Sequence, residues 1–161
     1  MKNKKNLKFD KNLIAPCGMN CRICSAYLAL KYDIKKKGVK MSYCMGCRAR
    51  DKECAFLKKK CSSTKNILNK KIEYCFECKG FPCERLNGLD KRYRENYKMS
   101  MIENSRYIKK HGIERIIEKE YEKWKCKKCD EVVCCHNGVC FNCDLERLKM
   151  KRREKKYRWD E

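Results

Sequence analysis

The stretch CKKCDEVVCCHNGVCFNC, residues 126–143, holds six of the sixteen cysteines of the chain and includes two C-x-x-C pairs. Two-residue spacing lets both sulfur atoms of a pair point at one ion, and two such pairs complete a tetrahedral site of four thiolates. The residues between the pairs suffice for a short hairpin that turns at Asn137 and Gly138, a favoured turn pair. We therefore predict a zinc ribbon. Its ligands are Cys126, Cys129, Cys140 and Cys143.

Three further potential ligands lie inside the same stretch: Cys134, Cys135 and His136. Neighbouring side chains of a strand face opposite ways, so not all three can face the metal of the ribbon. They are candidates for another site. The alternative is that the two cysteines act as small buried hydrophobes and that the histidine is exposed on the turn.

The first three cysteines, Cys17, Cys21 and Cys24, have the C-x-x-x-C-x-x-C spacing with which radical S-adenosylmethionine enzymes hold a four-iron cluster. Those enzymes surround the cluster with most of a β/α barrel, which needs roughly 200 residues or more. This chain shows no alternation of strands with helices, so we reject that class. An iron–sulfur cluster of another kind remains open, with a fourth ligand from Cys61 or Cys83.

The four cysteines from residue 44 to residue 61 match the first half of a fungal binuclear zinc cluster, but the cysteines of its second half are absent. Four-thiolate sites are commonly built from two C-x-x-C pairs. We therefore expect Cys44 and Cys47 to share an ion with Cys75 and Cys78. The cysteines left without an assigned ion are Cys54, Cys61 and Cys83.

Motifs of catalysis are otherwise missing from the sequence. There is no glycine-rich phosphate loop and no Ser-His-Asp arrangement, and the chain has two histidines. We predict no catalytic residue. A thiol enzyme is an alternative, because nearby lysines and arginines would lower the pKa of a free cysteine, but no single thiol stands out among sixteen.

The apolar content is low for a chain that must fold. Leu, Ile, Val and Phe make up 29 of 161 residues, and the formal net charge is +22, a combination typical of disordered chains. Small domains without a sufficient core are held by disulfides or metals. The sequence has neither a secretory signal peptide nor an apolar run long enough for a membrane span, so we expect a cytoplasmic protein. In that compartment paired cysteines favour metal, here two to four zinc ions.

The charge predicts an acidic partner. Lys and Arg number 43 against 21 Asp and Glu. A zinc ion bound by four thiolates lowers the net charge by two, so four such sites leave +14 of the formal +22. Nucleic acid or an acidic protein would suit such a surface. The segment RYRENYK, residues 92–98, offers tyrosines for base stacking among cations, although a solvated helix surface is the simpler explanation.

Helical periodicity is readable in three places. One helix follows Cys24 and should end near Gly38; a second should be capped by Ser100 and stop at Gly112; a third should run from Ile113 to Trp124 and pack on the first helix. The basic tail from Leu145 could be a helix, but it has little apolar face, and we expect it to fray unless it is bound.

These elements predict a small metal-dominated α+β fold, made of irregular cysteine-rich loops, a few helices and the C-terminal zinc-ribbon hairpin. The expected segments are a flexible basic arm (1–15), a cysteine-rich metal-binding domain (16–99), a two-helix connector (100–124), the zinc ribbon (125–145) and the basic tail (146–161).

Several motifs together resemble the small cysteine-rich prokaryotic proteins of domain-of-unknown-function family number 3795. They are APCGMNCRICSAYLA, YCMGC, YCFECKGFPCERL, the segment around MSMIENSRYIKKHGI, and WKCKKCDEVVCCHNGVCFNC. The likeness covers nearly all of residues 15–145. It implies a metal-binding domain, with zinc as the metal and without an established activity, to which the ribbon is an extension. The cysteine positions that it implies are Cys17, Cys21, Cys24, Cys44, Cys47, Cys75, Cys78 and Cys83.

Overall fold

The structure is a computed structural model that describes residues 10–49, 61 and 64–154. Within these residues it contains six α-helices, which we number in chain order: α1 (Ser25–Lys31), α2 (Thr64–Leu68), α3 (Glu84–Tyr97), α4 (Met101–His111), α5 (Ile113–Trp124) and α6 (Leu145–Arg153). Three 3-10 turns, Lys11–Leu13, Cys21–Ile23 and Cys75–Glu77, complete the regular elements. In the part of the chain that is described, no helix is both long and apolar enough to cross a membrane.

The two helices predicted around Gly112 are confirmed. The Ser100 hydroxyl accepts a hydrogen bond from the main-chain N–H of Glu103 at 3.1 Å, which caps α4 at its first turn. Gly112 has a φ of 86° and separates the two helices. Because these signals lie within a few residues of the helix ends, a sequence pattern is enough to locate them.

The helix after Cys24 is shorter than predicted, because it ends at Lys31 and not near Gly38. Asp33 has a φ of 48°, in the left-handed region. The N–H of Ile34 then bonds to the carbonyl of Ala29 at 3.0 Å, which closes the helix end. The hydroxyl of Tyr43 donates to the Asp33 carboxylate at 2.7 Å and stabilises this turn.

Neither α2 nor α3 was predicted. The 14-residue α3 begins directly after Cys83, and Leu86 and Asp90 are its buried residues. In the tail, α6 is formed over nine residues, with Leu148 1% exposed. The Arg152 guanidinium also bonds to the main-chain carbonyl of Lys40. The first part of the tail is therefore a helix that packs on the protein.

The predicted β component is almost absent from the described residues, which contain two isolated antiparallel bridges, Ile14 with Asn20 and Lys125 with Val132, and no named strand. The turn at Gly138 forms, and Cys134 pairs with Val139 through one hydrogen bond of 2.9 Å. No ladder extends from it, since the N–H of Cys135 bonds instead to the carbonyl of Ile23 at 2.9 Å. A main-chain N–H that would pair inside the hairpin of a ribbon therefore bonds to the N-terminal part of the chain.

One main cluster of buried side chains runs from Leu13 to Leu148. Of the 28 buried apolar residues that the structure describes, seven are cysteines. The predicted partner of α5 was α1, but α5 packs mainly on α4 and on the turn Lys11–Leu13. The cysteines thus supply a quarter of the apolar interior.

The loop of the first cysteines is joined directly to α4. Ser105 Oγ donates to the carbonyl of Cys17 at 3.1 Å, and Asn104 Nδ2 donates to the carbonyl of Gly18 at 3.0 Å. Gly18 has a φ of 91° and lies so close to α4 that a side chain would not fit. This contact fixes the position from which Cys17 and Cys21 project.

Candidate metal centre

The four cysteines predicted as ribbon ligands lie together. The sulfur atoms of Cys126, Cys129, Cys140 and Cys143 are all within 4.8 Å of one another. Cys126 Sγ is 3.6 Å from Cys143 Sγ, and Cys129 Sγ is 3.5 Å from Cys140 Sγ. An ion with four sulfur ligands at about 2.3 Å would separate them by about 3.8 Å. The group can therefore hold one metal ion with little movement.

Both pairs of this group are positioned by the ends of helices. The first pair begins directly after α5, where the bridge of Lys125 with Val132 turns the chain back. Within it, Asp130 adopts a φ of 61° and its N–H bonds to the carbonyl of Cys126. The second pair ends where α6 begins, and the N–H of Asp144 bonds to the carbonyl of Cys140 at 3.0 Å. Each pair thus forms a tight turn.

The thiols of the C-terminal group differ in acidity. Burial acts to raise the pKa of Cys129, but hydrogen bonds from Asn142, from the main chain of Glu131 and from Cys140 outweigh it and lower the pKa to about 7. Burial raises the pKa of Cys140. One thiolate is thus available near neutral pH, whereas Cys140 must lose its proton as a cation binds.

A second group of cysteines lies around the turn Cys21–Ile23. The main-chain N–H of Cys47 donates to Cys21 Sγ at 3.3 Å. The main-chain N–H of Cys44 donates to the carbonyl of Ala26, two residues after Cys24, at 3.1 Å. The Cys44 and Cys47 pair is therefore joined to the segment of Cys21 and Cys24, and its grouping with Cys75 and Cys78 stays a prediction.

A third group surrounds Cys75. Burial raises the pKa of the Cys75 thiol, and the charges of Cys17, Cys61, Cys83 and Cys78 raise it further. Cys61, Cys75, Cys78 and Cys83 also line a cleft of about 640 Å³ whose other walls include apolar side chains of α3. Cys54, the remaining candidate upstream, lies outside the described residues.

Cys135 and His136 bond to the residues on either side of Cys24, namely Ile23 and Ser25. Cys134 and Cys135 are both 0% exposed. The Nδ1 atom of His136 accepts a hydrogen bond from the N–H of Ser25 at 3.3 Å, and its Nε2 lies 3.2 Å from the hydroxyl of Tyr93. Burial, helped by the charge of Arg92, lowers the pKa of His136 to about 4, so the ring is neutral at pH 7.

The tyrosines of the segment 92–98 also contact His136. The Tyr93 and Tyr97 rings pack edge-on against the imidazole, with centroids 5.6 and 4.7 Å away. Tyr93 is partly buried in this contact. Sequence reasoning offered these rings for base stacking and missed their structural contact, because the partner lies about 40 residues along the chain.

Comparison with known families addresses the N-terminal part of this arrangement. Residues 13–88 match the model of a family described as "Protein of unknown function (DUF3795)". They are a DUF3795 domain. The resemblance seen in the sequence is confirmed for this segment, which contains the upstream cysteine positions and ends within α3. The C-terminal four-cysteine group lies beyond the matched residues.

No curated protein and no solved structure matches the chain. The chemistry of its function must therefore be argued from its own residues.

Proposed function

We propose that this chain is a multi-zinc binding module whose ions are structural and replace part of an apolar core. The observation that carries the proposal is the C-terminal group, Cys126, Cys129, Cys140 and Cys143, whose sulfur atoms lie within 4.8 Å of one another. Tetrahedral coordination by four thiolates is typical of structural zinc, and two C-x-x-C pairs joined by a turn are the ligand arrangement of a zinc ribbon.

The composition explains why metal would be needed. The chain has few large aliphatic residues, and seven of the 28 buried apolar residues described are cysteines. A structural zinc site supplies an apparent binding free energy on the order of 10 kcal/mol, comparable with the whole stability of a typical domain. Zinc bound by these thiolates would add folding energy where hydrophobic burial is small.

The partner that we propose is acidic, nucleic acid or protein, met in the cytoplasm. The support is the formal charge of +22, which remains strongly positive even if every cysteine binds zinc. Basic surfaces attract polyanions over a distance set by the ionic strength. A reducing cytoplasm would also keep the thiols available for metal.

The first experiment is to purify the full chain without oxygen, to count zinc and iron per chain, and to record the visible spectrum. We expect a colourless protein with two to four zinc ions. A brown protein that contains iron and sulfide would support the iron–sulfur alternative, since thiolate sites accept either metal.

The structural role is tested by chelation and by variants. Excess chelator should abolish the helical circular dichroism signal, and an unchanged signal would overturn the role. Cys140→Ser should lose one metal equivalent, because Cys140 belongs to the C-terminal group. Cys134→Ala is the matched control six residues away, at a buried thiol that we place outside that group, and it should lose none.

The partner is tested by titrating labelled single-stranded RNA and an acidic peptide into the metal-loaded protein at graded salt. For nucleic acid we expect the logarithm of the affinity to fall linearly with the logarithm of the salt concentration. Binding of the peptide alone would identify a protein partner. If neither binds at about 50 mM salt, where such contacts are strong, the proposal of an acidic partner is wrong.

A further inference from the structure

The cysteines near the turn Cys21–Ile23 repeat a local device of the C-terminal group. In that group the thiol of Cys129 accepts a hydrogen bond from the main chain of Glu131, two residues further on, and Cys140 accepts one from Asn142 in the same way. Such N–H donors stabilise thiolates, the form in which cysteine binds metal. A turn with this N–H to sulfur bond therefore holds the cysteine sulfur in a position to bind a metal ion.

The same bond occurs at two upstream cysteines. The N–H of Gly46 donates to Cys44 Sγ at 3.4 Å, and the main chain of Ala26 bonds to the thiol of Cys24. Gly46 has a φ of 104° and is buried against Leu13, so the second turn is held in place. Both C-x-x-C pairs of this region therefore have the local geometry of the C-terminal pairs.

The two upstream turns are also joined to each other. The N–H of Cys47 donates to Cys21 Sγ at 3.3 Å, and the N–H of Cys44 donates to the carbonyl of Ala26 at 3.1 Å. Cys47 is thus bonded to the first pair, and Cys44 is bonded to α1, the helix that follows that pair. The pairs are therefore adjacent although 20 residues separate Cys24 from Cys44.

We propose that Cys21, Cys24, Cys44 and Cys47 form a second four-thiolate metal site, within the DUF3795 domain. This inference rests on the proposed metal-binding function and names the ligands of one further ion. The sulfur atoms lie further apart here than in the C-terminal group, where all four are within 4.8 Å. Binding therefore requires side-chain rotation, while the main chain is already in place.

The adjacent thiols of Cys134 and Cys135 are assigned to the core and not to this site. Both thiols are 0% exposed and belong to the main cluster of buried side chains, where a cysteine packs as a small apolar residue. The His136 nitrogen nearest these thiols already accepts a hydrogen bond from Ser25. Residues 134–136 therefore pack beside the second site and are not among its ligands.

The test is made on the full-length wild-type chain, loaded with cadmium-113 as the probe. Correlation spectra connect the β-protons of each ligating cysteine to its own cadmium resonance. We expect Cys21, Cys24, Cys44 and Cys47 to share one resonance, different from that of Cys126. If Cys44 shares its ion with Cys75, this assignment is overturned.

Paired variants give an independent readout, the number of metal equivalents lost. Cys21→Ser with Cys44→Ser should lose one equivalent, because both belong to one ion. Cys44→Ser with Cys126→Ser should lose two equivalents, because Cys126 belongs to the C-terminal group, and a loss of only one would contradict the grouping. Loss of an equivalent in Cys134→Ala would also contradict it.

The failures of the two proposals are distinguishable. A chain that takes up metal only at Cys126 and its three partners would refute the second site and leave the C-terminal one standing. A chain that takes up no metal at all would refute both.

Discussion

Gly18 offers the sharpest test of how the first cysteine loop is held. A methyl group at Gly18 would lie 2.3 Å from the carbonyl oxygen of Met101 and 2.6 Å from Ser105 Oγ. The first of these is a main-chain atom of α4 and cannot move without the helix. Gly18 also has a φ of 91°, which an L-residue adopts only with strain. The substitution Gly18→Ala therefore forces the loop away from α4.

The magnitude follows from three contributions. Backbone strain costs about 1 kcal/mol, overpacking adds about 1–3 kcal/mol, and each hydrogen bond from a side chain of α4 that is lost when the loop shifts costs about 1 kcal/mol. The bonds at risk join the carbonyls of Cys17 and Gly18 to α4. With both bonds lost, we expect the free energy of unfolding to fall by about 4–6 kcal/mol, a large share of the stability of a typical domain.

The assay is guanidinium denaturation of the metal-loaded protein, followed by circular dichroism. The midpoint of Gly18→Ala should fall by about 1 M. Gly88→Ala is the matched control, because Gly88 lies in α3 and a methyl group there meets no atom within 4 Å. It should raise the free energy of unfolding by up to about 1 kcal/mol. Equal midpoints for Gly18→Ala and the wild type would refute the reasoning.

Two further substitutions test buried carboxylates. Asp90 accepts hydrogen bonds from the Ser100 hydroxyl at 2.7 Å and from the N–H of Ile102 at 3.0 Å. Asp90→Ala leaves both buried donors without this acceptor and should cost about 2–4 kcal/mol of unfolding free energy in denaturant titration, whereas Asp90→Asn should cost less. Burial raises the pKa of Glu120 in the folded protein, so its contribution to stability falls as the pH rises above the unfolded value. Glu120→Gln lacks this cost, and its gain in denaturation midpoint over wild type should grow as the pH rises above about 4.5; a gain independent of pH would contradict the assignment.

Elements with local signals were predictable from the sequence. Ser100 at the start of α4 and Gly112 at its end are recognised within a single turn of helix, and the apolar stripe of α5 needs no tertiary information. The residues of the C-terminal group were identified by spacing alone, because two sulfur atoms three positions apart in a turn can reach one ion. In these cases the relevant contacts lie within a few residues or follow from ligand geometry.

The elements that sequence reasoning missed depend on distant contacts. The helix α3 had a readable stripe in Leu86, Leu89 and Tyr93, but the many cysteines before it favoured irregular loops. The absence of strands between the ribbon pairs follows from the bond of Cys135 to Ile23, more than 100 residues away along the chain. The sequence alone does not show which distant carbonyl will accept a hydrogen bond from a given main-chain N–H.

The same long-range bonds bear on how the two metal groups would act together. Ile23 and Ser25 flank Cys24, and they bond to Cys135 and to His136 respectively. The segment that separates the C-terminal pairs is thus joined to the turn that carries the upstream group. An ion bound at either group would hold one end of this connection in place. Less conformational entropy would then be lost when the second ion binds at the other group. We therefore expect the two groups to bind metal cooperatively, although only one of them lies in the DUF3795 domain.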